Sequence, residues 1–128
     1  MIGSVGGIVL FVTDLERSVG FYEGVMGLKA GFADAVSRAY TLGQQDFVLL
    51  ALPGAVSMLG DDAVQPTRDG VRRIMLCVHT PDVDAAHAEL VAKGATIIRA
   101  PKSQDWGRRT THFADPDGNV WEFYQFLE

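Results

Sequence analysis

The sequence predicts an α+β fold, with two tandem βαβββ modules inside one domain that spans residues 1–128. Short β-branched runs lead to an aspartate N-cap and then to a helical apolar pattern. The same order of elements occurs twice: Val12 and Val78 precede the two caps, and Gly27 and Gly94 end the two helices at nearly equal offsets. This recurrence indicates two copies of one module.

The first module is predicted over residues 1–52, and it begins with a strand at Ile8–Val12 and an N-cap at Asp14. The helix that follows ends at Gly27, and its apolar stripe comprises Leu15, Val19, Tyr22, Val25 and Met26. Three strands complete the module, at Leu28–Phe32, Ser37–Leu42 and Phe47–Leu52, with a polar hairpin loop over 43–46.

Residues 53–69 are rich in Pro, Gly and Asp without periodicity, which predicts a linker or lid. The second module, residues 70–128, has a strand at Val71–Val78, an N-cap at Asp82 and a helix over Val83–Lys93. The residues expected to face inward from this helix are Val83, Ala86, His87, Leu90 and Val91. The remaining elements are strands at Thr96–Ala100, Arg109–Ala114 and Asn119–Phe126, with a tight turn over Asp115–Asn119.

Composition narrows the possible partners. The chain has 11 Lys and Arg against 16 Asp and Glu, a net charge of −5, so we expect no nucleic acid and no membrane partner.

The lone Cys77 lies in an apolar run, which predicts a buried, inert thiol in a reducing compartment. Phe47–Leu52, the longest apolar run, is too short to span a bilayer, so we expect a soluble, unexported, cytoplasmic protein.

Three stretches carry a family resemblance: residues 12–22 with Gly27-Leu28, residues 106–109 (Trp-Gly-Arg-Arg), and residues 115–123 (Asp-Pro-Asp-Gly-Asn-Val-Trp-Glu-Phe). Together with the repeat, they resemble the vicinal oxygen chelate superfamily, which includes glyoxalases, bleomycin-resistance proteins, extradiol dioxygenases and fosfomycin-resistance enzymes. The resemblance implies curved mixed sheets around a cup that binds a small molecule, and a homodimer. Because this fold serves metal enzymes, metal-free enzymes and binding proteins, function has to be argued from the site.

In metal-dependent members of the family, the resemblance implies ligands on the first, fourth, fifth and eighth strands. The corresponding positions here are Gly7, then Leu50 or Ala51, then Arg73, and finally Glu122. Only Glu122 can ligate a cation, since Arg73 is cationic and the others offer no side-chain donor. The sequence therefore predicts no metal site and no cofactor.

Arg73 and Glu122 have three interpretations. They form a structural ion pair, or Arg73 grips a carboxylate or enolate oxygen of a ligand, or Glu122 acts as a general acid or base. His112, on the strand beside Glu122, is a further ligand-binding and catalytic candidate. His79 is expected in an exposed loop and His87 in packing.

Aromatic residues are candidates for an apolar ligand cavity, with core packing as the alternative: Trp106, Phe11, Phe47, Tyr40 and Tyr124. Trp106 is favoured because it lies on a predicted loop. Strand alternation places Tyr124 and Val120 on the face of Glu122, and it places Trp121 and Phe123 on the helix side.

The preferred function is metal-independent binding of a small molecule, as in the bleomycin-resistance branch, for sequestration of a drug or metabolite. The alternative is a lyase, isomerase or dioxygenase of the same superfamily. In that case Glu122 or His112 transfers protons, or relocated ligands such as Glu122, His112 and Asp105 hold a metal.

Overall fold

The structure is a computed structural model that describes residues 3–62, 64 and 74–128, and the chain divides into two compact units, residues 1–67 and 68–128. The strands are β1 Ile8–Val12, β2 Phe32–Ala33, β3 Ser37–Leu42, β4 Gln45–Ala51, β5 Met75–His79, β6 Thr96–Ser103, β7 Arg108–Ala114 and β8 Val120–Phe126. The α-helices are α1 Leu15–Val19, α2 Leu52–Leu59 and α3 Val83–Ala92. The predicted α+β class is confirmed: each unit contains a mixed four-stranded sheet with helices.

The first sheet has the order β1-β4-β3-β2, with β1 parallel to β4 and the other pairs antiparallel. Leu10 and Val12 of β1 are buried, whereas Val9 and Phe11, which alternate with them, are exposed. The first sheet thus has one apolar face in the core and a second face that carries Val9 and Phe11.

The first helix begins as predicted, because the Asp14 side chain accepts a hydrogen bond from the Arg17 amide. It continues from α1 into a π-helical segment, Gly20–Val25, where the sequence indicated one regular helix. The wider turn brings both Phe21 and Tyr22 into the core, so the buried face differs from the predicted stripe.

Two aromatic residues proposed for a ligand cavity belong to this core instead. Tyr40 and Phe47 are buried and pack against Tyr22, with ring centroids 6.2 and 5.6 Å from the Tyr22 ring. The Tyr40 hydroxyl donates to Glu23 Oε2 at 2.9 Å, which satisfies this buried polar group. Strand alternation in β3 and β4 places the Tyr40 and Phe47 side chains on the core face of the sheet.

The structure corrects two strands of the first module. The strand predicted at Leu28–Phe32 is reduced to Phe32–Ala33, because Gly27 has a φ of 74° and the Leu28 amide donates to the Tyr22 carbonyl at the end of the helix. The strand predicted from Phe47 begins earlier, at Gln45, since Leu42 pairs with Gln45 across a two-residue turn.

The irregular linker predicted over 53–69 is wrong for its first part, because residues 52–59 form α2. Pro53 lies in the first turn of α2, where its missing amide proton costs no hydrogen bond. Gly54 allows close packing: a Cβ at this position would lie 2.8 Å from Cδ1 of Leu50. Most of the remaining linker residues lie outside the described part of the chain.

The second sheet repeats the topology, with the order β5-β8-β7-β6 and β5 parallel to β8. Helix α3 begins at the predicted cap, where Asp82 accepts from the Ala85 amide. Polar contacts attach α3 to the sheet: for example, the Val83 amide donates to Gln125 Oε1 at 2.7 Å, and Arg109 forms a bidentate pair with Asp84. One face of the second sheet is therefore the helix side.

The buried face of helix α3 is narrower than predicted. Val83 and Leu90 are buried as expected, but Val91 is 53% exposed. The strands of this module differ from prediction mainly at their ends: β6 extends to Ser103, and β5 is described only from Met75. No helix in the described ranges is long and apolar enough to cross a membrane.

Candidate functional site

The second face of the second sheet, opposite α3, carries seven side chains that form the candidate site. The register of β5, β8 and β7 places Glu122 between Cys77 and His112, and two residues further it places Tyr124 beside His79. Phe126 pairs with Arg108 in the next row. We call this surface the polar–aromatic face, and its members are Cys77, His79, Arg108, His112, Glu122, Tyr124 and Phe126.

The strand alternation that defines the face follows the prediction. Phe123 packs against Phe113, with ring centroids 4.8 Å apart, and Trp121 is buried, so both lie on the helix side. Glu122 and Tyr124 point the other way, as the contacts described below demonstrate. Of the predicted site residues, the structure therefore brings Glu122, His112 and Tyr124 onto one surface.

Glu122 and His112 form the polar centre of this surface. His112 Nε2 lies 2.9 Å from Glu122 Oε1, and Glu122 is only 6% exposed. With an ionised carboxylate, Nε2–H of His112 is the donor. A buried carboxylate needs such a partner, so this pair fixes both side chains, and its imidazole and carboxylate can exchange a proton.

Cys77 is exposed, so the prediction of a buried thiol is wrong. It is a member of β5, which lies at the edge of the sheet, and its thiol donates to Glu122. The sulfur is nevertheless partly shielded from solvent, and this desolvation, followed by the hydrogen bond and the negative charge of Glu122, raises the pKa of Cys77 to about 11, while Arg108 opposes the shift. The thiol is thus a neutral hydrogen-bond donor at physiological pH.

Arg108 is stacked on aromatic rings at the other end of the face. Its guanidinium carbon lies 4.2 Å from the centroid of the Tyr124 ring and 5.2 Å from that of Phe126. Contacts of this kind stabilise a cation without neutralising it. Within residues 3–62, 64 and 74–128, no carboxylate lies within 4.0 Å of the Arg108 guanidinium.

His79 contacts the same two rings from the opposite strand, with centroid distances of 5.5 Å to Tyr124 and 5.8 Å to Phe126. It is the last residue of β5, one residue beyond the end of the strand predicted at Val71–Val78. His79 is exposed, as expected, but it is a member of the polar–aromatic face. Arg108 and His79 therefore stand on either side of the aromatic residues of β8.

The turn before β8 holds this strand in register. The Asp115 carboxylate accepts hydrogen bonds from the amides of Asp117 and Asn119 and from the Asn119 side chain, at 3.0, 2.7 and 2.8 Å. Gly118 has a φ of 83°, which glycine adopts without strain. The predicted tight turn is therefore present, and it ends at Asn119, three residues before Glu122.

Two other predicted site residues, Trp106 and Phe11, lie in the described part of the chain but are not members of the polar–aromatic face. Trp106 is 68% exposed in the β6–β7 loop, and Phe11 is 37% exposed on β1 of the first unit. Arg73 lies outside the described residues. His87 contacts Thr111 at 3.3 Å on the helix side, as packing predicts.

The described donors do not fit a metal of the kind found in metal-dependent relatives. Gly7 has no side chain, Leu50 packs close to Gly54, and Glu122 is engaged by His112. Over the described residues, no three His, Cys, Asp or Glu side chains lie close enough together to hold an ion. The relocated ligand set of Glu122, His112 and Asp105 therefore does not form a metal site among these residues.

Sequence reasoning missed Arg108, His79 and Cys77. The signal for Arg108 was available, because residues 108, 110 and 112 alternate onto one face of β7 and His112 was already a candidate. Cys77 and His79 required the parallel register of β5 with β8, which no local pattern specifies.

The comparisons agree with this topology. The model of the glyoxalase/bleomycin resistance protein/dioxygenase superfamily matches residues 4–123. The uncharacterized protein YraH of Bacillus subtilis is 28% identical over 124 residues, covering 94% of this chain and 96% of YraH. The metallothiol transferase FosB of Lysinibacillus sphaericus is 26% identical over 121 residues, covering 94% of this chain and 81% of that protein.

A crystal structure of a glyoxalase/bleomycin resistance protein/dioxygenase from Nocardioides shares the fold, with a TM-score of 0.87 and 24% identity. It covers 100% of this chain and 86% of that one. The chain belongs to the glyoxalase/bleomycin resistance protein/dioxygenase superfamily, as the resemblance implied.

Proposed function

We propose that this protein binds a small organic molecule on the polar–aromatic face without a metal ion, and that it acts by sequestration of a drug or metabolite. The observation that carries the proposal is the Arg108 guanidinium, which lies 4.2 Å above Tyr124 with no carboxylate within ion-pair distance among the described residues. A guanidinium that contacts aromatic rings keeps its charge, so Arg108 can bind an acidic or polar group of a ligand.

The composition of the face supports binding. Tyr124 and Phe126 offer apolar area, while Glu122, His112 and the Cys77 thiol offer polar groups at one end. A few polar groups set among aromatic surface are typical of small-molecule sites. We propose Trp106 and Arg73, which belong to the same unit as this face, as additional ligand contacts, as the sequence suggests, and Phe11 of the first unit stays a prediction from the sequence.

The FosB relative is named a metallothiol transferase, but we do not extend that activity to this chain. Gly7 and Leu50 supply no donor at the family's ligand positions, so the Glu122 carboxylate has no described co-ligands there.

A second candidate function is proton transfer on a bound carbonyl compound, as in a lyase or isomerase. The 2.9 Å contact between His112 and the buried carboxylate of Glu122 favours it. Binding without turnover supports sequestration, whereas turnover that is lost in Glu122→Gln supports the enzyme.

The experiment that tests the proposal is a thermal-shift screen of chelator-treated protein against a library of small organic molecules. A ligand at one hundred times its Kd raises stability by about 2.7 kcal/mol. Tyr124→Ala should abolish the shift, and Phe32→Ala, an exposed aromatic residue of the first unit, is the matched control. Binding that persists in Tyr124→Ala contradicts the proposed location.

We also propose that the protein is a cytoplasmic homodimer. A single cysteine with no disulfide partner in the chain is compatible with the reducing cytosol, and superfamily membership supports a dimer. Sedimentation equilibrium at micromolar concentration tests the dimer, and a monomeric mass contradicts it.

A further inference from the structure

We infer that the ligand of the polar–aromatic face is an organic anion, a carboxylate or similar group on a flat apolar body, recognised by Arg108. This inference rests on the proposed function and adds the class of ligand. It depends on how Arg108 differs from other described arginines, on what holds its guanidinium, and on the groups around it.

Arg108 stands apart from its sequence neighbour Arg109. The Arg109 guanidinium donates two hydrogen bonds to Asp84, at 2.7 and 2.9 Å, on the helix side. Arg38 likewise reaches a carboxylate, that of Glu16, at 3.3 Å. Among the residues that the structure describes, Arg108 contacts rings and no carboxylate, so its positive charge can pair with an acid from outside.

The two rings hold the guanidinium in place from one side. Tyr124 and Phe126 pack edge to face, with centroids 5.6 Å apart, and Arg108 lies over both. With the guanidinium carbon over these rings, N–H groups that point away from the rings can pair with a carboxylate through two parallel hydrogen bonds. An arginine fixed in this way loses little conformational entropy on binding.

The surroundings favour an anion that is attached to an apolar body. His79 borders the same rings from β5, so it adds a second nitrogen-bearing side chain beside the aromatic surface. The negative charge on the face belongs to Glu122, whose Oε1 is engaged by His112. With a net charge of −5, the chain does not attract anions at long range, so selection of the anion has to be local.

Isosteric probe pairs test the inference: benzoate with benzamide, and phenylacetate with phenylacetamide. Isothermal titration calorimetry on the full-length, chelator-treated protein should give at least about tenfold tighter binding for each carboxylate than for its amide. Arg108→Gln should remove this preference while the amides keep their affinity. Arg109→Gln, on the helix side, should retain the preference.

The outcomes separate the two proposals. Equal affinity for acids and amides, or a carboxylate preference that survives in Arg108→Gln, overturns the anion inference and leaves small-molecule binding intact. If neither acids nor amides bind at millimolar concentration, the proposed function and the inference both fail. Circular dichroism of each variant establishes that lost affinity is not lost folding, and Arg108→Lys, which keeps charge without the planar fork, should bind with intermediate affinity.

Discussion

His112 Nε2 lies 2.9 Å from Oε1 of Glu122, and this pair joins β7 to β8 at the polar end of the candidate site. Glu122 is buried and also accepts a hydrogen bond from the thiol of Cys77, so three neighbouring strands contribute to one polar row. At the other end, Arg108 stacks on Tyr124. The site is thus assembled on one sheet face, with opposite charges at its two ends.

Removal of the imidazole should destabilise the protein. In His112→Ala, the buried Glu122 carboxylate loses its 2.9 Å partner, and we expect a loss of about 1–3 kcal/mol in the free energy of unfolding. Urea denaturation measures this loss. The double variant His112→Ala/Glu122→Gln should recover part of it, since the neutral amide is less costly to bury, and a single variant as stable as the parent contradicts the role of the pair.

Cys77 should react slowly with iodoacetamide. Partial burial of the sulfur and its hydrogen bond to Glu122 raise the pKa to about 11, so at pH 8 we expect a rate about one hundredfold below that of an ordinary thiol. The rate should increase with pH until the pH approaches 11, because only the thiolate reacts.

The variants of its two charged neighbours should change this rate in opposite directions. Glu122→Gln lowers the pKa of Cys77 and accelerates alkylation, whereas Arg108→Gln raises that pKa and slows it. The chain has one cysteine, so mass spectrometry follows the reaction without interference. A normal alkylation rate at pH 8 is inconsistent with the described environment.

Asp115→Ala should lower stability by about 1–3 kcal/mol, because two amides and the Asn119 side chain lose their common acceptor. Thermal denaturation followed by circular dichroism measures the loss. Asp115→Asn keeps one carbonyl oxygen for the two amides, so it should be less destabilising. Equal effects of the two variants would indicate that these hydrogen bonds are not the cause.

Divalent metals should not stabilise the protein. If Zn²⁺, Mn²⁺, Ni²⁺ or Fe²⁺ binds, a free concentration of one hundred times its Kd would add about 2.7 kcal/mol to the free energy of unfolding. A change of this size is easily seen as a shift in Tm. We expect no shift in chelator-treated protein, because the described residues offer no group of three ligands. Stoichiometric metal with a clear increase in Tm refutes this prediction.

The sequence predicted those elements whose boundaries depend on hydrogen bonds between residues close together in the chain. The caps at Asp14 and Asp82 and the turn at Asp115 depend on side chains that bond to nearby amides, so they could be predicted from spacing. The π-helical segment and helix α2 could not, since both depend on how their residues pack.

The candidate site was predicted in part for the same reason. Alternation along β8 gives the common face of Glu122 and Tyr124, and its antiparallel neighbour β7 supplies His112. The parallel pairing of β5 with β8 connects distant parts of the chain, so no local pattern could place Cys77 and His79 beside Glu122 and Tyr124. The family resemblance favours Arg73, which aligns with a ligand position of metal-dependent members, and it gives no information about the rings that Arg108 contacts.

The most direct test of metal-independent binding on the polar–aromatic face is an NMR titration of chelator-treated, isotope-labelled protein with phenylacetate. The account predicts perturbed resonances from Arg108 Nε–H, the Tyr124 ring and the His79 ring, with the Arg109 Nε–H signal unchanged. Perturbation that appears only after Zn²⁺ or Mn²⁺ is added, or that is confined to residues outside this face, would contradict the account.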